Sequence, residues 1–271
     1  MDLAAQPELR VLTSDPASTV VAVDYDGTLA PIVDDPAIAF PAPGASDVLA
    51  ELTTHFRRVL VVSGRPASFL ANMVLAPVNL VGLYGLEGLD VGERWEHPNG
   101  GAWREVMADL AAHADAHGPA GMRTELKGLS ITFHYREHPE IADAVETFTR
   151  KEAATSGLSL RPARMSVELH PPIDVDKGTV IERAADGARA VVFVGDDVGD
   201  LTGFDALDRL AARGVSAVRI AVRSAESPPA LLERADVLLD GPPEVVDFLA
   251  YLAASAAASA SSASAAAEAA N

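Results

Sequence analysis

Short, almost continuously apolar runs, each ended abruptly by polar residues or glycine, restrict the fold of this chain more than any other feature of its sequence. Most of these runs are rich in β-branched residues, which favour strands. Strands that are apolar on both faces are typical of a parallel sheet that helices cover on both sides. The predicted strands are Thr19–Val23, Arg58–Val62, Val78–Leu83, Ala190–Val194, Val215–Val222 and Val237–Leu239.

Patterns with a helical period lie between these runs. They predict helices at Ala45–His55, Pro66–Val74 and Gly178–Ala185, with a closing helix at Pro243–Leu252. Strands that alternate with helices along the chain are typical of a doubly wound α/β sheet with a parallel, Rossmann-like core.

The middle of the chain interrupts that rhythm. Arg123–Tyr135 and Met165–His170 alternate apolar and polar residues, which indicates an antiparallel sheet with one face open to water. Helices at Ala102–Ala116 and Pro139–Thr155 would cover its other face. We therefore expect an α+β domain inserted into the core.

Glycine and proline mark the two places where this insertion would leave and rejoin the core, at Gly85–Gly88 and His170–Pro172. The predicted organisation is a core made of residues 1–84 and 173–254, with the inserted domain at residues 85–172. We expect the insertion to open and close about the two junctions.

The end of the chain is rich in alanine and serine. Residues 245–267 carry a single charge, Asp247, and approach the length of a membrane span. Alanine and serine transfer poorly into hydrocarbon, however, and Glu268 follows. We therefore predict that residues 255–271 form a disordered tail rather than a membrane anchor.

The charge of the chain excludes several kinds of partner. With 39 acidic and 21 basic residues, its formal net charge is −18, which disfavours nucleic acid and anionic membranes. The absence of cysteine excludes a disulfide framework and a thiolate metal site, so any metal must bind oxygen or imidazole. The first residues lack the features of a secretory signal. We expect a cytoplasmic monomer that acts on a small molecule.

The first strand is followed at once by Asp24-Tyr25-Asp26-Gly27-Thr28. Ligands bind at the carboxyl ends of parallel strands, and two carboxylates there need a cation or hydrogen bonds to be buried. Gly27 and Thr28 would form a tight turn whose backbone N–H groups face an anion. An acidic turn without further function is the alternative.

Ser63-Gly64-Arg65 follows the second strand and precedes a helix. A hydroxyl group and N–H groups at a helix N-terminus can bind an anion, although Ser63 could equally be a simple N-cap. The group becomes a candidate site because it also follows a strand.

The densest acidic cluster, Gly195-Asp196-Asp197-Val198-Gly199-Asp200, follows another predicted strand. Carboxylate oxygens at the edge of a parallel sheet suit Mg²⁺. Asp197 and Asp200 could instead cap the next helix. Lys177, at the start of a predicted helix, could neutralise a phosphate group or be an ordinary surface lysine.

The order of these four motifs resembles that of the haloacid dehalogenase superfamily of phosphatases. Within it, the chain is most similar to the trehalose-6-phosphate phosphatase family, because the first motif continues as Leu29-Ala30-Pro31-Ile32 and the insertion carries Glu125-x-Lys127, His134-Tyr135-Arg136 and Glu168-Leu169-His170-Pro171. The resemblance implies a C2-type cap that binds a disaccharide phosphate. It implies sugar contacts from the cap residues Glu125, Lys127, Arg136 and Glu168.

The paired acids suggest that Asp24 is a nucleophile and that Asp26 acts first as an acid and then as a base. Mg²⁺ would be held by Asp24, the Asp26 carbonyl and Asp196, with Asp197 and Asp200 in support. Ser63 and Lys177, together with Gly27, Thr28, Gly64 and Arg65, would bind the phosphate group.

The fourth motif departs from the family pattern, because Gly199 and Leu201 stand where threonine and glutamate are usual. This departure affects the residues around the metal ligands rather than the ligands themselves. Other hypotheses are a sucrose-phosphate or other glycosyl-phosphate phosphatase, a phospho-accepting receiver module, and a catalytically silent regulatory subunit.

Overall fold

The structure is a computed structural model that describes residues 3–33, 36–163, 165–224 and 227–269. The chain divides into two compact units. The core unit comprises Met1–Arg94 and Val175–Asn271, and the inserted unit comprises Trp95–Asp174. The predicted α/β class, with a mainly parallel sheet and an inserted α+β unit, is confirmed.

The described residues form an eight-stranded sheet and a four-stranded sheet. The large sheet contains β1 (Thr19–Val23), β2 (Arg58–Val62), β3 (Asn79–Gly82), β4 (Glu87–Asp90), β5 (Glu93–Glu96), β10 (Ala190–Gly195), β11 (Ser216–Arg223) and β12 (Val237–Asp240). The small sheet contains β6 (Arg123–Leu126), β7 (Ile131–His134), β8 (Ser159–Ala163) and β9 (Ser166–His170).

The α-helices of the described residues lie between these strands, apart from α1 near the start and α9 at the end of the chain. They are α1 (Arg10–Ser14), α2 (Ala45–Leu52), α3 (Ala67–Met73), α4 (Arg104–His117), α5 (Ala142–Ser156), α6 (Lys177–Ala184), α7 (Leu201–Ala212), α8 (Pro229–Arg234) and α9 (Gly241–Ala269).

The strand order of the large sheet determines which sequence motifs meet. The order is β12-β11-β10-β1-β2-β3-β4-β5, and the strands from β12 to β3 are parallel. Strand β1 therefore lies between β10 and β2. Because these three strands point the same way, Asp24, Ser63 and Asp196, which follow or end them, lie at one edge of the sheet.

Helices cover both faces of the large sheet, which explains why its central strands are apolar throughout. All five residues of β1 are buried. Val21 and Val23 pack with side chains of α2 and α9 in one cluster. On the other face, Phe193 of β10 contacts Phe204 of α7 edge to face, with 6.3 Å between ring centroids.

The core unit extends further along the chain than predicted. Strand β4 pairs antiparallel with β3, and β5 lies beside β4 in the same sheet. Residues 85–88 are therefore not a free junction, and the boundary falls between Arg94 and Trp95 instead of at residue 85. A hairpin that continues the sheet edge keeps these residues with the core. The second boundary, between Asp174 and Val175, lies two residues after the predicted one.

The inserted unit is an antiparallel sheet with helices on one face. Its strand order is β6-β7-β9-β8. Ile131, Phe133 and Leu169 pack on its apolar face against α4 and α5, including Met107 and Val145. The alternation in the sequence predicts this arrangement, although it does not separate β6 from β7 or indicate β8.

Helix α9 continues through most of the segment predicted as a disordered tail. It extends to Ala269, and residues 270 and 271 lie outside the described residues. Ala256 is buried in the core cluster, and the Ser259 hydroxyl donates to the Thr13 carbonyl. Alanine is the best helix former, so the composition that argues against a core still permits a helix. No helix in the described part of the chain is long and apolar enough to cross a membrane.

Candidate active site

Asp24 and Asp26 follow the end of β1, on either side of a bend at Tyr25. The Asp24 N–H donates to the Val194 carbonyl at 2.9 Å, so pairing with β10 continues one residue beyond β1. The side chain of Tyr25 is fully buried, and its hydroxyl donates to the Ala39 carbonyl. Tyr25 is thus anchored in the core, while both carboxylates lie where the strand ends, at the edge of the sheet.

Lys177 joins Asp24 to the acidic loop after β10. Its Nζ donates to Asp24 Oδ1 at 2.7 Å and to Asp200 Oδ1 at 2.6 Å, and all three side chains are buried. Lys177 is the first residue of α6, which a capping box at Asp176 and Thr179 begins. The cap fixes where the helix starts and thereby where the lysine lies. The reading of Lys177 as an ordinary surface lysine is wrong.

Asp200 organises that loop. Its Oδ2 accepts the N–H groups of Asp196 at 2.8 Å and Asp197 at 3.0 Å. With Lys177 on Oδ1, both oxygens of Asp200 have partners within the protein. Asp200 therefore supports the loop, whereas Asp197 is exposed at the N-cap of the short helical turn that precedes α7. Both residues therefore fit the alternative interpretation of the sequence, in which they cap the next helix.

Gly27 is the residue that lets the first motif approach Asp196. Its φ is +81°, and a Cβ at this position would lie 2.0 Å from Asp196 Oδ2. The Thr28 hydroxyl donates to Asp196 Oδ1 at 3.3 Å. Glycine is needed here for its backbone conformation and for space.

Burial makes this group of carboxylates electrostatically unusual. Oxygens of Asp24, Asp196 and Asp200 lie within 4.8 Å of one another. Burial raises the pKa of Asp24 well above its usual value. Burial, together with the charges of Asp200 and Asp197, raises the pKa of Asp196 to about 8. Each shift shows that the site holds these carboxylates as anions only at a cost.

Lys177 offsets part of this negative charge. Burial lowers the pKa of Lys177, but the charges of Asp200 and Asp24 outweigh burial and leave that pKa raised. One lysine among three buried carboxylates leaves an excess of negative charge. A set of hard oxygen donors with excess negative charge fits Mg²⁺, which binds one or two carboxylates and retains water or phosphate as further ligands.

The motif after β2 contributes a hydroxyl and a guanidinium group. Ser63 is buried, and its Oγ accepts the Arg65 N–H at 3.1 Å. A Cβ at Gly64 would lie 2.5 Å from the Tyr84 hydroxyl oxygen, so this glycine lets Tyr84 approach. Arg65, predicted to bind substrate, makes an ion pair with Asp26.

Within the inserted unit, the pairing of strands aligns four polar residues in one row across the sheet. The row is Glu125, Thr132, Glu168 and Arg161. Glu168 is buried, and its Oε2 lies 3.4 Å from Lys127 Nζ and accepts the Thr132 hydroxyl at 3.3 Å. Glu125 pairs with Nε2 of His134 at 2.7 Å.

The structure changes the expected set of basic residues on this face. The resemblance implies that Arg136 contacts the sugar together with Lys127, but β7 ends at His134 and Arg136 is exposed in the turn that follows. Instead, Arg161 of β8 lies 3.9 Å from Glu168 Oε1. Sequence analysis missed Arg161 because Pro162 argues against a strand.

Tyr84 is a second residue that sequence analysis missed. It has a left-handed backbone, with φ +58°, and its neighbour Leu83 has φ +49°. Its ring centroid lies 6.0 Å from Lys177 Nζ. Strained backbone of this kind clusters at functional sites, and the adjacent Gly82 and Gly85 were the only signal in the sequence.

A model of the family described as trehalose-phosphatase matches residues 22–232. A trehalose-phosphate phosphatase from Mycobacterium leprae (strain TN) is 32% identical over 265 residues, which cover 89% of this chain and 59% of that protein. The chain thus spans less than two thirds of the length of this relative.

Solved structures share the fold. The C-terminal domain of a trehalose-6-phosphate phosphatase from C. albicans is 22% identical, with a TM-score of 0.73, and the match covers 92% of this chain and 97% of that domain. A haloacid dehalogenase-like hydrolase from Bacteroides thetaiotaomicron is 14% identical, with a TM-score of 0.60, and the match covers 86% and 99% of the two chains. These matches confirm the superfamily fold that the four motifs predict.

Proposed function

Because the chain belongs to the trehalose-phosphatase family, we propose that it is a phosphatase that hydrolyses trehalose 6-phosphate to trehalose and inorganic phosphate. The observation that carries this proposal is the convergence of Asp24, Asp26 and Lys177 at one sheet edge, beside the buried Asp196. A nucleophile, an acid–base group and a phosphate-neutralising cation are the groups that such a reaction needs.

In the first step, Asp24 attacks phosphorus and forms an aspartyl-phosphate. The bond between phosphorus and the sugar oxygen breaks, and Asp26 donates a proton to that oxygen. Lys177 holds the Asp24 carboxylate in place through its contact with Oδ1. In the second step, Asp26 removes a proton from water, which attacks the aspartyl-phosphate and releases inorganic phosphate with Asp24 restored.

Asp24, the Asp26 carbonyl and Asp196 would hold Mg²⁺. When bound, this ion offsets the repulsion between an anionic nucleophile and a phosphate dianion. Burial raises the pKa of Asp24, so an additional cation would help to keep its carboxylate ionised and nucleophilic.

The phosphate group would be held by Ser63, Lys177 and backbone N–H groups of Gly27, Thr28 and Gly64. Arg65, placed among these residues by the sequence, instead contacts Asp26. In the inserted unit, Glu125, Lys127, Arg136 and Glu168 would contact sugar hydroxyl groups, because carboxylates and ammonium groups supply the acceptors and donors that a disaccharide needs.

The test is phosphate release from trehalose 6-phosphate, sucrose 6-phosphate, glucose 6-phosphate and p-nitrophenyl phosphate, each with Mg²⁺ or with chelator. We expect the highest kcat/KM for trehalose 6-phosphate and little turnover with chelator. A higher value for another sugar phosphate would contradict the substrate. Absence of turnover on every compound would contradict the activity and favour a receiver module or a silent subunit.

A nucleophile variant tests the chemistry. Asp24→Asn should abolish turnover and labelling by beryllofluoride, whereas Asp186→Asn, at an exposed acid after α6, should leave both unchanged. Mass spectrometry that located the phosphoryl adduct on any residue other than Asp24 would overturn the proposed first step.

A further inference from the structure

Arg65 and Asp26 form a two-bond ion pair in the core unit. Nε of Arg65 donates to Asp26 Oδ2, and Nη2 donates to Oδ1, both at 2.7 Å. The side chains are 14% and 30% exposed. A guanidinium group that binds both carboxylate oxygens fixes the plane of the carboxylate as well as its position.

The structure also fixes the arginine. Its N–H donates to Ser63 Oγ at 3.1 Å, and its carbonyl accepts the Leu83 N–H at 3.0 Å. The guanidinium lies over the ring of Phe69, 4.5 Å from the centroid. The arginine is thus held by its backbone and by an aromatic ring, which is the support that a precisely placed group needs.

Phe69 connects this support back to the first motif. Its ring meets that of Tyr25 edge to face, with 5.8 Å between the centroids. Tyr25 is fully buried and directly precedes Asp26 in the chain. Contacts therefore run in a closed circuit through Tyr25, Phe69, Arg65 and Asp26. Displacement of the arginine would remove its restraint on the Asp26 carboxylate.

We propose that Arg65 is a positioning residue for Asp26 and acts on the reaction through this carboxylate, rather than by binding the phosphate group of the substrate. The proposal rests on the function proposed above, in which Asp26 transfers protons. An aspartate side chain has two rotatable bonds, and proton transfer requires hydrogen-bond distance to the reacting oxygen. Arg65 restrains both rotations of the ionised carboxylate, which is the form that acts as base in the second step. In the first step one Asp26 oxygen carries the proton, so only the other oxygen accepts from Arg65.

The chain offers a matched control for this pair. Arg223, at the end of β11, makes the same two-bond contact with Asp240, at 2.7 Å and 2.8 Å. Those side chains are 48% and 60% exposed. Both Arg65→Lys and Arg223→Lys keep the positive charge but remove the two-bond contact of the guanidinium group. A difference in activity between the two variants therefore reflects where each ion pair lies in the structure.

With trehalose 6-phosphate we expect Arg65→Lys to lower kcat at least about tenfold, with KM changed less than about twofold. General acid–base catalysis contributes about 10²–10⁴-fold, so partial loss of positioning should be measurable. Arg223→Lys should keep both constants within about twofold of the original protein. A drop in kcat shared equally by the two variants, or a rise in KM alone for Arg65→Lys, would overturn the proposal.

A double-mutant cycle with Asp26→Asn separates the two roles of the arginine. If Arg65 acts through Asp26, Arg65→Lys should have no further effect on kcat once Asp26→Asn is present. If Arg65 binds phosphate directly, its effect persists undiminished in that background, and the proposal fails while the proposed function stands. Full activity of Asp26→Asn alone would instead refute the acid–base assignment and this proposal with it.

Folding is monitored in the same samples. Thermal unfolding with and without Mg²⁺ should give the same Mg²⁺-induced rise in Tm for Arg65→Lys as for the original protein, because the metal-binding carboxylates are untouched. Loss of that rise would show that the substitution disturbs the whole site, which contradicts a role confined to Asp26.

Discussion

Replacement of Lys177 by methionine tests the electrostatic design of the site most directly. Methionine fills a similar volume and leaves α6 intact, but it removes the ammonium group that contacts Asp24 at 2.7 Å and Asp200 at 2.6 Å. Both carboxylates are buried, so water compensates little for the loss of the lysine.

The expected cost follows from the geometry. Removal of one partner from a buried ion pair destabilises a protein by about 3–5 kcal/mol, because an uncompensated charge stays behind. For a folded unit of about 150–250 residues, each kcal/mol lowers Tm by about 2–4 °C. We therefore expect Lys177→Met to lower the Tm of the metal-free core unit by about 6–20 °C.

Thermal unfolding in chelator, followed by circular dichroism, measures this shift. Lys151→Met is the matched control, since Lys151 is exposed on α5, and we expect a change of only about 2 °C. Burial raises the pKa of Asp24 and of Asp200, so the deficit should be smaller at about pH 5 than at about pH 8. Equal shifts for the two variants would refute the reasoning.

Three further predictions concern the metal, the turn and the sugar. Burial and the charges of Asp200 and Asp197 raise the pKa of Asp196 from 3.8 to about 8. The free energy of unfolding of the metal-free protein should therefore fall as pH rises through this range. Mg²⁺ should accordingly raise Tm more at about pH 8 than at about pH 6, and a larger rise at the lower pH would contradict the sign. Gly27→Ala should lower kcat/KM at least about tenfold, because a Cβ would lie 2.0 Å from Asp196 Oδ2. Its control is Gly92→Ala, at a glycine that also has a positive φ, +92°, but has open space around it. Equal losses of kcat/KM in the two variants would exclude the clash as the cause. Arg136→Ala should raise KM for trehalose 6-phosphate about tenfold, since the loss of one charged hydrogen bond weakens binding by about this factor. KM for p-nitrophenyl phosphate should stay unchanged. Equal changes in KM for both substrates would exclude a role of Arg136 in sugar recognition.

The parts of the fold that the sequence predicts are those set by local pattern. Strand β1 is apolar over its full length, and the alternation in residues 123–135 and 165–170 indicates a different kind of sheet. The boundary at residue 85 was wrong because β4 pairs with β3 through backbone hydrogen bonds, which place no demand on side-chain type. Helix α9 continues past residue 254 because alanine favours a helix without burying much surface.

The sequence predicts which residues form the candidate site, but it does not predict which of these side chains contact one another. Motifs at the carboxyl ends of parallel strands converge whatever the details of packing, so Asp24, Ser63 and Asp196 were accessible from sequence. The contact of Arg65 with Asp26 depends on the side-chain conformation of both residues. Arg161 faces Glu168 only through the register of β8 and β9. Such pairings are set by tertiary structure, and no local pattern encodes them.

Formal charges at the sheet edge explain why a divalent cation suits this site. Four carboxylates, Asp24, Asp26, Asp196 and Asp200, meet two cations, Lys177 and Arg65. When ionised, these six groups carry two excess negative charges, which a divalent ion offsets and a monovalent ion does not. The exposed Asp197 adds a further negative charge beside Asp196. A neutralised site no longer repels a phosphate dianion, although the whole chain has a formal charge of −18. Attraction of the substrate phosphate group then depends on N–H groups and on Lys177, which act strongly because they lie at contact distance. Salt screens the charges of the more distant acidic residues on the surface.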